Sequence, residues 1–120
     1  MTVTPPATVW AEVRLPGFHH WPAAPEHRSY LRARHRHQFH IRVSVRVAHD
    51  DRDTEFHDLG DAIRAWWGPA ARECGAASCE ALARSLAAHL TGLGLRLDEV
   101  AVSEDGEAGA TIRLLKEDQE

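Results

Sequence analysis

The chain has 120 residues, the length of a single domain of ordinary size. Apolar residues make up 43% and charged residues 27%, a balance typical of globular rather than disordered proteins. Acidic residues outnumber lysine and arginine by 18 to 14, so the chain lacks the basic surplus of a general nucleic-acid-binding protein. No apolar stretch is as long as a membrane span, and the first residues lack the profile of a signal peptide. The two cysteines are too few for a disulfide framework, and we therefore expect a cytoplasmic protein.

We expect one domain over residues 1–120, with flexible ends at 1–7 and 116–120. The first strand is predicted over residues 8–15, where apolar and polar residues alternate. The Pro-Gly pair that follows is expected to end this strand. Residues 16–34 carry three prolines and no periodic pattern, which predicts a long loop, and loops of this length are usually functional or disordered.

The clearest periodic signal lies in residues 35–49 (HRHQFHIRVSVRVAH). Apolar side chains from Phe39 and Ile41 onward occupy one face and polar side chains the other. Strict alternation over this length predicts a half-buried strand. His35 and His37 precede Phe39 by four and two residues and therefore lie on the same face of the strand. Both imidazoles are expected to point toward the side that carries the core.

The second half of the chain predicts two helices followed by a hairpin. A helix is predicted over residues 54–67, and Ser78 is a suitable N-cap for a second helix over 79–91. Strands are predicted over 96–103 and 110–115, joined by a turn-rich segment. The order ββααββ predicts an α+β fold, in which two helices cover one face of a four-stranded antiparallel sheet.

Histidine is unusually frequent, with nine in 120 residues, most of them between His19 and His57. Residues i and i+2 of a strand point the same way, so His35 and His37 can bind one ion. The third ligand is expected to be His19 or His20, which precede that strand by a loop. Three imidazole nitrogens with an open fourth position favour zinc. The alternative is a set of structural histidines that bond to the backbone.

These motifs resemble the 6-pyruvoyl- and 6-carboxy-tetrahydropterin synthases. The resemblance is carried by residues 18–22 (FHHWP), 35–39 (HRHQF), 54–59 (TEFHDL), 77–83 (ASCEALA) and 102–109 (VSEDGEAG). It implies the tunnelling fold, a ββααββ domain whose copies assemble into an oligomeric barrel. It also implies a catalytic zinc held by His19, His35 and His37. By the same resemblance, the carboxylate of Glu104 binds the ring of a pterin- or purine-like substrate.

The chain departs from the family pattern at the residues that transfer protons. Arg36 replaces the glycine of the family's His-Gly-His motif, and Leu31 stands where the family has a cysteine. The connection between the helices lacks the family's Asp-His pair. His57 and Asp58, adjacent at the start of the first predicted helix, are therefore the candidate catalytic pair. Weaker candidates are Tyr30, Glu26 and Cys74.

Charge is distributed unevenly along the chain. Six arginines and no acidic residue lie between Arg28 and Arg46, and acidic residues crowd residues 50–61. This asymmetry fits an anionic group of a substrate near Arg36, an RNA contact or self-assembly.

Together, these features predict a divergent, homo-oligomeric zinc protein of lyase or isomerase type. Its expected ligand is a pterin- or purine-like small molecule, in the setting of modified-base (deazapurine) metabolism. The alternative is a non-catalytic purine- or pterin-binding or assembly protein that kept the fold. An RNA-contacting module ranks third because the net charge is -4. No membrane partner is expected.

Overall fold

The four long strands and two α-helices follow the predicted ββααββ order in this computed structural model, which describes residues 6–114. The α+β class is therefore confirmed. The predicted flexible ends lie outside the described residues, apart from residues 6 and 7, and so does the last residue of the final predicted strand. The elements are β1 (Thr8–His19), a 3-10 helix (Glu26–Leu31), β2 (His35–Arg46), α1 (Phe56–Trp67), β3 (Arg72–Glu73), α2 (Cys79–Gly92), β4 (Leu97–Glu104) and β5 (Ala108–Arg113).

The sheet is open and has the strand order β3-β1-β2-β4-β5. The four long strands pair with one another in antiparallel fashion, as predicted. The fifth strand, β3, is only two residues long and runs parallel to β1, so the sheet is mixed rather than purely antiparallel. A strand of two residues is too short to show an alternating pattern, so the sequence did not predict β3. The Arg34 guanidinium pairs with the carboxylate of Glu73 and fastens this strand.

The prediction that Pro16 and Gly17 end the first strand is wrong, because β1 continues to His19. Proline is tolerated near a sheet edge, and within residues 6–114 only the short β3 lies on the outer side of β1. The Trp67 indole donates a hydrogen bond to the Pro16 carbonyl over 2.9 Å. A Cβ atom on Gly17 would lie 2.7 Å from the Trp67 ring, so glycine allows this ring to pack against the strand. The extension brings His19 opposite His35.

The predicted long loop is shorter and more structured than expected. It connects β1 to β2 and contains the 3-10 helix. Its two arms are joined by a backbone hydrogen bond from the Trp21 amide to the Leu31 carbonyl, 2.8 Å long. The Arg32 side chain donates to the Ala24 carbonyl over 2.9 Å. The loop is therefore a folded flap beside the ends of β1 and β2.

Both α-helices pack on the same face of the sheet and share one core with it. The predicted alternation in β2 is confirmed, since its core-facing apolar residues are fully buried. The Ser78 hydroxyl accepts a hydrogen bond from the Ala81 amide over 3.1 Å, as expected for the N-cap of α2. Phe56, the first residue of α1, is about half exposed. Within residues 6–114, no helix is long and apolar enough to cross a bilayer.

Candidate metal site

Three imidazoles meet where β1 ends and β2 begins. His19 lies directly opposite His35 in the strand register, and His37 lies opposite Gly17. One ring nitrogen of each histidine lies within 4.8 Å of the other two. The structure thus brings together the three residues that the sequence nominated. His20, the competing third ligand, follows the last residue of β1 and does not join the group.

Each of the three rings is held by a hydrogen bond at its Nδ1 atom. An imidazole nitrogen that faces an oxygen acceptor donates its proton to that oxygen, so the Nε2 atom of each ring is the one available to bind an ion. Histidines that bind metals in proteins are oriented in this way. The three bonds are His19 to the Ala77 carbonyl (3.2 Å), His35 to the Ala33 carbonyl (2.8 Å) and His37 to the Asp105 carboxylate (2.7 Å).

Two of the three Nε2 atoms are buried without a hydrogen-bond partner within residues 6–114, namely those of His19 and His37. An unsatisfied buried nitrogen is costly, and a cation at the centre of the group would satisfy both. Burial lowers the pKa of His19, against the opposing effects of the Ala77 carbonyl and the Glu104 carboxylate. A lowered pKa favours the neutral imidazole, which is the form that binds a metal. The residues present therefore fit a divalent ion.

Glu104 reaches the same group from β4. It lies opposite Phe39 in the strand register and continues the core-facing row that includes Val102. One carboxylate oxygen is 3.2 Å from Nε2 of His19, and the other is 3.4 Å from Nε2 of His37. The structure places the residue predicted to bind substrate directly against the histidines.

An apolar floor supports the histidines from the core side. The ring of Phe39 meets those of His19 and His37 edge-on, at centroid distances of 5.3 and 5.8 Å. Trp67 packs against Phe39 at 5.5 Å. This floor restricts the ring positions of the histidines, because the aromatic side chains in it are buried.

A cavity of about 470 Å³ opens beside the histidines, and His19 and His35 form part of its wall. Trp21 and Leu31 contribute apolar surface, while Glu80 and Glu104 contribute carboxylates. The first turn of α2 also lines the cavity. A pocket of this size and mixed lining suits a small organic molecule.

Cys79 connects α2 to this site. Its sulfur lies 4.0 Å from a carboxylate oxygen of Glu104 and can donate a hydrogen bond to it. Burial, together with the nearby Glu104 carboxylate, raises the pKa of the Cys79 thiol to about 12. The thiol is therefore protonated near neutral pH and acts as a donor rather than as a nucleophile.

The other nominated residues lie away from the cavity. His57 is 83% exposed and contacts Glu55 at the start of α1, and neither it nor Asp58 lines the cavity. The last residue of α1, Trp67, packs against Gly17 beside the histidines, so the first turn of this 12-residue helix lies at its opposite end, away from them. Arg36 is exposed and alternates with His35 and His37, so its side chain lies on the opposite face of β2.

Asp105 is a site residue that sequence reasoning missed. Besides holding His37, it accepts a hydrogen bond from the Gln38 amide (2.9 Å) and donates its own amide to the Gln38 carbonyl (2.8 Å). The Gln38 amide and His37 lower the pKa of the Asp105 carboxyl. The Asp-Gly pair predicted a turn, and both residues do adopt positive φ angles. Nothing in that local signal indicates a contact with Gln38, 67 residues earlier in the chain.

Replacing Asp105 with asparagine is expected to weaken metal binding about 10- to 100-fold, the usual effect of removing an outer-shell partner. An amide has one acceptor oxygen and cannot serve both His37 and the Gln38 amide. Asparagine tolerates the left-handed backbone of this position, so the fold should persist. Zinc affinity measured by chelator competition is the test, with the exposed hairpin variant Glu107→Gln as the control. Equal affinities for Asp105→Asn and the wild type would contradict the role of Asp105.

The chemistry of the site follows from its donor set. Three imidazoles with access to a cavity form the ligand set of catalytic zinc sites, and they also suit copper, iron and nickel. Comparisons with known proteins match the chain to no family model and to no curated protein sequence.

Proposed function

We propose that the protein is a zinc-dependent enzyme of lyase or isomerase type that acts on a small molecule in the cavity. The observation that carries this proposal is the convergence of His19, His35 and His37 at the cavity wall, each fixed through its Nδ1 atom. Zinc bound there supplies a Lewis acid for a hydroxyl or carbonyl oxygen. The protein orients the rings and excludes water through its apolar floor.

The proposed substrate is a pterin- or purine-like ring, as the motif resemblance implies. Trp21 and Leu31 offer apolar surface against which a flat ring can pack. Glu80 and Glu104 offer carboxylates that can accept a pair of ring N–H donors. The setting in modified-base (deazapurine) metabolism follows from the resemblance alone.

Proton transfer in this proposal depends on groups at the cavity. Leu31, at the position of the family's cysteine, lines the cavity and cannot transfer a proton. Cys79 carries a proton and is in contact with Glu104. The pair therefore provides a donor and an acceptor close to the ion site.

We further propose a homo-oligomer of the tunnelling-fold type. Among residues 6–114, β5 pairs only with β4, and β1 has an outer partner only at Gly17 and Phe18. Both edges of the sheet therefore present backbone groups that can pair with another strand. Copies joined edge to edge would extend the sheet into a barrel.

The second candidate is a non-catalytic protein that binds the same class of ring. It is favoured by Leu31 at the cysteine position and by the distance of His57 and Asp58 from the cavity. Such a protein would retain the ion and the ring-binding walls without the acid–base groups of the synthases.

The deciding experiment combines metal analysis with a substrate screen. Zinc per chain is measured by mass spectrometry, and zinc-loaded and zinc-stripped protein are then incubated with reduced pterins and guanine-type nucleosides. We expect one zinc per chain and conversion that requires zinc. Zinc-dependent ring binding without any product would favour the second candidate. Folded protein that takes up no metal would overturn both.

A further inference from the structure

The ion position is lined by nitrogen and oxygen atoms that can all bind a cation. The Nδ1 atoms of His19 and His37 face oxygen acceptors, which leaves their Nε2 atoms directed at this position. The carboxylate oxygens of Glu104 lie 3.2 and 3.4 Å from these two Nε2 atoms, and neither nitrogen has a hydrogen-bond partner within residues 6–114. A cation between these atoms would bind both nitrogens and the carboxylate at once. The carboxylate therefore faces the same point as the imidazoles.

The spacing of these atoms also matches ligands of one ion. Zinc binds imidazole nitrogen and carboxylate oxygen at about 2.0–2.2 Å, so two ligands of a tetrahedral site are about 3.4 Å apart. In an octahedral site, neighbouring ligands at the same bond lengths are about 3.0 Å apart. The distances from Glu104 to His19 and to His37, 3.2 and 3.4 Å, fall in this range.

Glu104 is itself oriented by a neighbour, as metal-binding carboxylates are. The Cys79 sulfur lies 4.0 Å from the oxygen that approaches His19. The residue after Glu104 is Asp105, which holds His37, so the end of β4 fixes a carboxylate and an imidazole at once. All four side chains around the ion position thus have an outer partner.

We propose that Glu104 is a fourth ligand of the ion, which makes the resting site a set of three nitrogens and one oxygen. This inference rests on the proposed function only in requiring that an ion is bound. It changes the resting role of Glu104 from ring anchor to metal ligand. A small molecule in the cavity must then displace the carboxylate or enter as a further ligand. The released carboxylate is free to accept a proton or a ring N–H.

The test compares the wild type with Glu104→Gln and Glu80→Gln. Glu80 lines the same cavity and is not among the side chains that contact the histidines, so it is the matched control. We expect Glu104→Gln to lower zinc affinity at least about tenfold in a chelator competition, while Glu80→Gln leaves it unchanged. Loading with Co²⁺ gives visible absorption that reports the ligand set. We expect this spectrum to change in Glu104→Gln only.

A third variant separates ligation from charge. Glu104→Asp keeps the negative charge on a shorter side chain, so we expect it to fall short of the wild-type affinity and not to restore the wild-type Co²⁺ spectrum. Wild-type affinity and spectrum in either Glu104→Asp or Glu104→Gln would overturn the assignment of Glu104 as a ligand. One zinc per chain in the wild type would still support the three-histidine site in that case. No zinc binding by the wild type would instead overturn the proposed function.

Discussion

Replacing His35 and His37 together with alanine is expected to abolish stoichiometric zinc binding. Four-ligand zinc sites bind with about 10–16 kcal/mol, or about 3–4 kcal/mol per ligand, so losing two ligands costs about 6 kcal/mol. That energy corresponds to a loss of affinity of about four orders of magnitude. The fold should persist, because both rings lie at the start of β2 and the fully buried row begins only at Phe39. Zinc per chain by mass spectrometry, with circular dichroism of the same samples, measures both effects.

The control is a second double variant, His27→Ala with His89→Ala, which removes two histidines outside the site. His27 lies in the exposed 3-10 helix, and His89 is exposed in the last turn of α2. We expect this protein to bind zinc as the wild type does. Undiminished zinc in the His35→Ala/His37→Ala protein would contradict a site built on the strand pair.

The strand that carries two of the ligands was predictable because its pattern is local. Alternation along β2 fixes which residues share a face, and parity alone places His35 and His37 with Phe39. The N-cap of α2 was predictable for the same reason, since Ser78 acts on an amide three residues away. Features decided within a few residues of sequence can be inferred without knowledge of the tertiary structure.

Other features depend on partners that are distant in sequence. β1 continues past Pro16 because Trp67, which follows it by 51 residues, bonds to the Pro16 carbonyl and fits against Gly17. The choice of His19 over His20 depends on this extension, because it sets the register with His35. A local rule for Pro-Gly pairs cannot anticipate a tryptophan from another element.

The contact of Glu104 with the histidines also depends on residues that are distant in sequence. The resemblance marked Glu104 as functional, but its position against His19 and His37 follows from the pairing of β4 with β2. His57 and Asp58 were predicted to be a catalytic pair only because they are adjacent in sequence and lie at the start of a helix. Trp67, at the other end of α1, is the residue of that helix that packs beside the histidines, and adjacency in sequence does not show this.

Truncation of Phe39 to alanine is expected to destabilise the metal-free protein by about 3–5 kcal/mol, the usual cost of removing a buried phenyl ring. Phe39 is fully buried and contacts Trp67 on one side and the rings of His19 and His37 on the other. The cavity left behind would also release the two imidazoles from their floor. Urea unfolding of the metal-free chain gives the free energy of unfolding, and chelator competition gives the zinc affinity.

Phe56→Ala is the matched control, because this ring is 53% exposed at the start of α1. Its truncation should change the free energy of unfolding by no more than about 0.5 kcal/mol and should leave zinc affinity unchanged. If Phe39→Ala loses stability but binds zinc as tightly as the wild type, the floor serves the core alone. If the free energy of unfolding and the zinc affinity both fall, the Phe39 ring that stabilises the core also positions the histidine ligands.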